Sequence, residues 1–193
     1  MKKLILLSLV LISIVLVSGC TQTESLQEPK DLILTVENLP SDWSPLRSSE
    51  LNISEVSSKA LSNGWSKGYG QKFQTDNYFI DYTISFYDNT NSAKNMIYLP
   101  KPEEIEFGPL LESIPPTNII INEKTNPNLG DLSIAYEVVG TYDYSEDLII
   151  SYYVIQFAKK NILETLFMLS FESDKLDYIL LKEVAEKAES KIV

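Results

Sequence analysis

The sequence predicts a single α+β domain, a largely antiparallel β-sheet with helices packed on it. Three features point there. Residues 147–158 and 161–171 are two apolar arms joined at Lys159-Lys160-Asn161. Asn tolerates left-handed backbone, so a tight antiparallel hairpin fits, and arms this apolar belong at the centre of a sheet, covered on both faces. Within 77–87, Ile80, Tyr82, Ile84 and Phe86 alternate with Asp81, Thr83 and Ser85, the period of a strand with one buried and one wetter face. The chain then closes on an amphipathic helix at 175–192, capped by Asp174, whose stripe is Leu176, Leu180, Val184, Ala188 and Ile192 with Ile179 beside it. Glu186 and Glu189 face away, and Glu183 and Lys187 form a helical pair in the favourable order.

The remaining elements follow in order. Leu32 to Val36 reads as a first strand, ended by Asn38-Leu39-Pro40-Ser41-Asp42, with Trp43 in a turn. Residues 50–62 carry Leu51, Val56, Ala60 and Leu61 at loose helical spacing, and Gly64 stops the helix. Strands are expected at 66–75 and 77–87 around an Asp76-Asn77 turn. Asn89-Thr90 can cap a short helix at 91–99, ended by Pro100 and Pro102, and a helical turn is expected at 103–106. Pro115-Pro116 forbids helix there. Ile119 to Ile121 is a short strand, Asn126 to Gly130 is dense turn chemistry, and 132–140 is a strand. The expected order is β-α-β-β-α, an irregular stretch, then β-β-β-β-α, in which hairpins dominate.

Composition narrows the function. The 193 residues carry 16 basic and 27 acidic side chains, a net charge of −11. Removing Lys2 and Lys3 with a leader would take this to −13. A nucleic-acid partner is not expected, since phosphate binding needs clustered Lys and Arg. The chain has no histidine, which excludes a histidine general base, a histidine metal ligand and a Ser-His-Asp triad. No Ser-x-x-Lys arrangement occurs, and Gly64, Gly68 and Gly70 match neither a dinucleotide loop nor a phosphate loop. No catalytic residue, cofactor or metal is therefore expected. Carboxylates are the abundant chemical group, in the clusters Glu103, Glu104, Glu106 and Asp143, Glu146, Asp147. Paired acids can hydrolyse glycosides, so a carboxylate-based hydrolase is kept as an alternative. Neither cluster has the spacing of a calcium loop.

The first twenty residues give the location. Met1-Lys2-Lys3 is basic, Leu4 to Val17 is apolar apart from Ser8 and Ser13, and Val17-Ser18-Gly19-Cys20 ends on the single cysteine. The apolar run falls short of the roughly 20 residues that span a bilayer. Residues 1–20 resemble a bacterial or archaeal lipoprotein signal peptide. That resemblance implies cleavage before Cys20, lipid (palmitate among the acyl chains in bacteria, an ether lipid in archaea) on Cys20, and a cell-membrane anchor with the domain on the extracytoplasmic side. An uncleaved anchor, or a secretory signal with an incidental cysteine, is the competing reading. The expected organisation is a signal at 1–19, a lipidated end and polar tether at 20–30, and the domain at 31–193. Leu39-Pro40-Ser41-Asp42-Trp43 after a first strand is faintly similar to the PsbP/Mog1-like α/β group, with a longer middle section at 100–131; this implies a fold type and no site.

The expected function is a tethered binding or assembly module that contacts another envelope protein or a small ligand. Eleven tyrosines and two tryptophans motivate it, since such rings give large amphipathic contact area, although they favour strands in any case. Tyr142-Asp143-Tyr144 is the candidate binding loop, and Asn52-Ile53-Ser54 makes Asn52 a candidate glycosylation acceptor. If the rings pack inward, a structural envelope component without ligand is the alternative.

Overall fold

A computed structural model describes residues 27–40, 42–105, 116–142, 145–170 (backbone alone at 145–148) and 176–193. It contains one seven-stranded sheet, the expected α+β class. The strands are β1 (Ser44–Glu50), β2 (Trp65–Gln74), β3 (Tyr78–Tyr87), β4 (Asn118–Glu123), β5 (Leu132–Tyr142), β6 (Ser145–Lys159) and β7 (Ile162–Ser170). Their spatial order is β1-β2-β3-β7-β6-β5-β4, and every neighbouring pair is antiparallel. The β6–β7 hairpin is central, as its two apolar arms require. Its turn closes with Lys160, not Asn161, at positive φ (57°). Asn161 acts as a clamp instead: its side-chain amide donates to the Tyr87 carbonyl, and its own carbonyl accepts from the Tyr87 N–H.

The helices are α1 (Pro29–Leu32), α2 (Ser58–Ser62), α3 (Thr90–Lys94) and α4 (Tyr178–Ser190), with single 3₁₀ turns at Val36–Asn38, Ile53–Glu55 and Pro102–Glu104. Helix α4 lies on one face of the sheet. Beneath it Phe73, Ile80, Tyr82, Ile84, Ile155, Phe157, Leu166 and Met168 make the main core. Period-two geometry sends alternate residues to the second face. There α2 and α3 cover Tyr87, Ala158 and Leu163, while Tyr136, Val138, Tyr152 and Val154 form a third cluster nearer the β4 edge.

Five expectations change, the first being the helix over 50–62, which is a 3₁₀ turn at Ile53–Glu55 followed by α2 at Ser58–Ser62 alone. The first strand is not at 32–36. Leu32, Ile33 and Leu34 are consecutively buried, at 3%, 7% and 0% exposure, so they plug the core as α1 and the chain after it; a half-covered strand would have alternated. The first strand is Ser44–Glu50, an edge strand with almost every side chain exposed. It also carries a register shift between Pro45 and Arg47, and such an edge leaves no apolar period. The folded part takes in the end of the expected tether: Pro29 is buried, and Glu28 pairs with Lys67 at 2.9 Å. The helix over 91–99 ends at Lys94, capped by Asn89, whose side chain accepts from the Ser92 N–H. Lastly, α4 is capped by Asp177, which accepts from the N–H groups of Ile179 and Leu180, and Asp174 lies outside the described residues. The buried face of α4 is Leu181, Val184, Ala185 and Ala188, a rotation that leaves Ile179 69% exposed. Glu189 turns toward the domain, 3.7 Å from Lys159 and accepting from the Gly130 N–H.

Candidate functional site

The second face of the sheet holds a pocket of about 210 Å³ where the 98–105 segment crosses β5 and β6. Register builds its floor. Tyr136 on β5 pairs with Val154 on β6, and Tyr152 and Gln156 are two residues to either side of that partner. All three side chains therefore rise from the same face as diagonal neighbours. Phe167 on β7 holds the Tyr152 ring, with centroids 4.5 Å apart. The walls come from Tyr98, Pro100, Glu104 and Ile105. Two prolines keep this segment extended, and Pro102 opens the 3₁₀ turn that positions Glu104. The Lys101 N–H then donates to one Glu104 carboxylate oxygen at 3.0 Å, which fixes that side chain at the rim.

The chemistry of the pocket is oxygen-rich. Burial pushes the Tyr152 phenol up to about 12. The Tyr136 phenol is raised as well, by burial first and then by the Tyr152 and Tyr98 phenols, so the Tyr136 and Tyr152 hydroxyls stay protonated at neutral pH. The Gln156 side-chain oxygen is buried there with no hydrogen-bond partner among the described residues. A buried acceptor left unpaired costs about 1–3 kcal/mol. No lysine or arginine lines the pocket. Beside it, the Lys59 Nζ lies 3.1 Å over the Tyr98 ring.

The other unusual group is Glu164 on β7. It sits under α4, fully buried at 0% exposure, opposite Ile84 of β3. Neither of its carboxylate oxygens makes a well-formed hydrogen bond; the Tyr82 hydroxyl lies close enough to act on the carboxyl but is not aligned for one. Burial pushes the Glu164 carboxyl up to about 8; Tyr82, Lys191 and Lys159 pull it down, and Glu189 adds to the rise. The sequence contains the signal: Glu164 is the sole charge in the arm 161–171, masked by apolar neighbours that read as core. A carboxyl sealed from solvent has no access to a substrate, so it does not supply half of a hydrolytic pair in this conformation.

The sequence-predicted residues fall as follows. Cys20 lies outside the described residues, as do Glu106, Asp143 and Tyr144 and the side chains of Glu146 and Asp147. Tyr142 is 4% exposed at the end of β5; the strand runs farther than 140 and draws this ring inward, so Tyr142 offers no contact surface. Glu103 and Glu104 are exposed on the 3₁₀ turn, and no group of three or more potential metal ligands occurs among the described residues. Asn52 is exposed before the 3₁₀ turn at 53–55, its N–H donating to Glu55 at 2.8 Å. The expected tyrosine-rich outer surface is absent among the described residues: Tyr82, Tyr87, Tyr136, Tyr152 and Tyr153 are buried, and Tyr98 is the one aromatic among the exposed large hydrophobics.

The fold, though not the sequence, has known counterparts. The extracellular domain of PknH from Mycobacterium tuberculosis superposes with a TM-score of 0.53 at 8% identity, covering 84% of this chain and 93% of that one. An uncharacterised protein from Mycobacterium smegmatis, the Rv0999 ortholog, superposes with a TM-score of 0.51 at 8% identity, covering 81% and 92%. Identity this low establishes a shared fold and transfers no residue roles. No family model matches the chain, and no curated protein matches it. None of the helices among the described residues is long and apolar enough to cross a membrane.

Proposed function

We propose that this chain is a lipid-anchored extracytoplasmic module that binds a small polar ligand in the pocket between the 98–105 segment and the β5–β6 hairpin. The observation that carries the binding reading is the concave pocket of about 210 Å³ whose wall brings together Tyr98, Tyr136, Tyr152, Gln156 and Glu104. Specific ligand sites place a few polar groups at fixed points of a concave surface. The anchor reading rests on residues 1–20 and Cys20. It is supported by the fold, which is shared with a domain described as extracellular. No catalytic step is assigned.

The competing reading, a structural envelope component, draws on the inward packing of the strand tyrosines. A ligand screen separates the two. The full chain in detergent would be melted against a library of small polar compounds, beside Gln156→Leu. Ligands that raise the melting temperature of the native chain and not of the variant support the pocket. A blank screen, or shifts equal in both chains, would leave the structural reading. For the anchor, Cys20→Ser should move the protein from the membrane fraction to the soluble one; retention of an uncleaved, membrane-bound variant would overturn it.

A further inference from the structure

The two edges of the sheet are built differently, and from that difference we infer that β4 is an interface: it pairs antiparallel with the β4 strand of a second copy of this chain, about a two-fold axis at Ile120. Among the described residues no strand lies beyond β1 or beyond β4. An open edge is a template for another strand unless it is blunted. β1 is blunted. It carries Pro45, Arg47 and Glu50, and its register shifts between Pro45 and Arg47. β4 has no such protection. Its sequence is Asn-Ile-Ile-Ile-Asn-Glu, with its one charge at the end. Its pairing to β5 runs without a shift, and Ile120 is 48% exposed. The lysine that follows, Lys124, is engaged within the chain, 3.7 Å from Glu137.

Hydrogen-bond phase and side-chain order set the register. The Lys124 N–H donates to the Ala135 carbonyl at 2.9 Å, and the ladder continues with Asn122 opposite Glu137, Ile120 opposite Val139 and Asn118 opposite Thr141. Bonded and non-bonded positions alternate in an antiparallel pair. Ile119, Ile121 and Glu123 therefore turn their N–H and C=O groups outward. A two-fold pairing centred on Ile120 sets Ile119 opposite Ile121 of the second copy, where the two exchange N–H···O bonds. Ile120 then meets its own counterpart in the close, non-hydrogen-bonded position, and Asn118 stands opposite Asn122. No like charges stand opposite each other. Centring on Ile121 keeps the phase but sets Ile119 against Glu123 and Ile120 against Asn122, a poorer match. Ile119 and Ile121 already pack against the cluster of Tyr136, Val138, Tyr152 and Val154, so the join makes that cluster continuous across both copies. Pairing of six residues is smaller than a standard interface, which buries about 1,200–2,000 Å², so the dimer is weak and reversible.

Disulfide trapping in the full chain in detergent tests the pairing. Residues opposed in the non-hydrogen-bonded position have Cα atoms about 4.5 Å apart, within the reach of a disulfide. On mild oxidation Ile120→Cys should link to its counterpart at least tenfold more than Ile53→Cys, which is 69% exposed on the 3₁₀ turn at 53–55. Asn122→Cys should stay unlinked alone and link when mixed with Asn118→Cys. The native chain, with Cys20, is oxidised beside them, and mass spectrometry of the linked peptides identifies each bridge. Sedimentation at rising concentration gives a reading without added cysteines. Ile120→Lys sets like charges opposite each other at an exposed position, so its dimer should be at least tenfold weaker than that of the native chain, with the melting temperature of the dilute protein unchanged. Linking of Ile120→Cys no better than that of Ile53→Cys, efficient linking of Asn122→Cys alone, or equal sedimentation of the native chain and Ile120→Lys would overturn the pairing.

Discussion

Replacing Glu164 by Gln should stabilise this protein at neutral and alkaline pH, and the size of the effect follows from where the side chain sits. Its carboxyl is fully buried without a well-formed hydrogen bond, and burial, opposed by Tyr82 and the neighbouring lysines, lifts it from about 4.5 to about 8. Below about 4.5 both the folded and the unfolded chain hold the proton, and the group is neutral to stability. Between the two values the unfolded chain has released the proton and the folded chain retains it. Stability therefore falls as pH rises, by about 1.4 kcal/mol per pH unit, and levels off above the folded-state value. At pH 7 the accumulated loss is about 3 kcal/mol, and by pH 9 about 5. Gln keeps the shape and cannot ionise. The difference in unfolding free energy between Glu164→Gln and the native chain should be smallest near pH 4 and grow by about 3 kcal/mol at pH 7, equivalent to about 6–12 °C in melting temperature for a domain of this size. Urea unfolding of both chains at several pH values gives that difference directly, with the titrations of groups that do not interact with this carboxyl cancelling. Lys191, Lys159, Glu189 and Tyr82 are the charged or titratable groups that act on this carboxyl, and the variant leaves them in place. A difference that stays flat from pH 4 to pH 9 would refute the reasoning, because it would mean that Glu164 is solvated or ion-paired when ionised.

Other outcomes follow from packing. Leu166 is fully buried on the face under α4 while its neighbour Phe167 is only half-buried on the second face, so Leu166→Ala should cost about 2–5 kcal/mol and exceed Phe167→Ala in denaturant unfolding; the reverse order would invert the assignment of faces. In Gly130→Ala the new methyl would lie 2.3 Å from the Ala158 carbonyl oxygen at a backbone φ of +57°, and calorimetry should show clear destabilisation, more than about 1 kcal/mol. Asp177→Ala removes the acceptor for two helix N–H groups and should cost about 1 kcal/mol, recoverable in large part with Asn or Ser.

The parts of the fold that were legible in the sequence are those where burial writes a period. Strand β3 alternates because one face meets the core, and the β6–β7 hairpin is apolar throughout because both of its faces are covered. Helix α4 was visible for the same reason, yet its cap and its rotation were not: Asp174 and Asp177 are equivalent in type, and Leu180 and Leu181 are adjacent and identical. Strand β1 left no trace. At the edge of a sheet the backbone alone needs a partner, so Ser44–Glu50 could be polar and contain a proline. Leu32–Leu34 misled in the opposite sense, since a buried irregular segment can be as apolar as a strand. The candidate pocket was illegible as a unit. Tyr98, Tyr136, Tyr152 and Gln156 are brought together by strand register and by a crossing segment, neither of which a linear pattern contains. Of the lining residues, Glu104 alone stands in a charge cluster of the sequence, which marks its charge rather than its position.

The strand order β1-β2-β3-β7-β6-β5-β4 bears on how the chain is made as well as on what it becomes. Five of the six strand pairings join strands consecutive in sequence, and each can close soon after its second strand emerges. The sixth, β3 with β7, joins residues 76 to 92 positions apart and is the slow step expected of a distant contact. Until β7 arrives, the three-strand meander ending in β3 presents an unpaired edge bordered by Ile80, Tyr82 and Ile84, a template for pairing with another chain. Glu164 lies on the strand that must fill that edge, opposite Ile84. An ionised carboxyl there opposes docking, so acid conditions should speed the final closure of the sheet and alkaline conditions should lengthen the interval in which two half-made molecules can exchange strands.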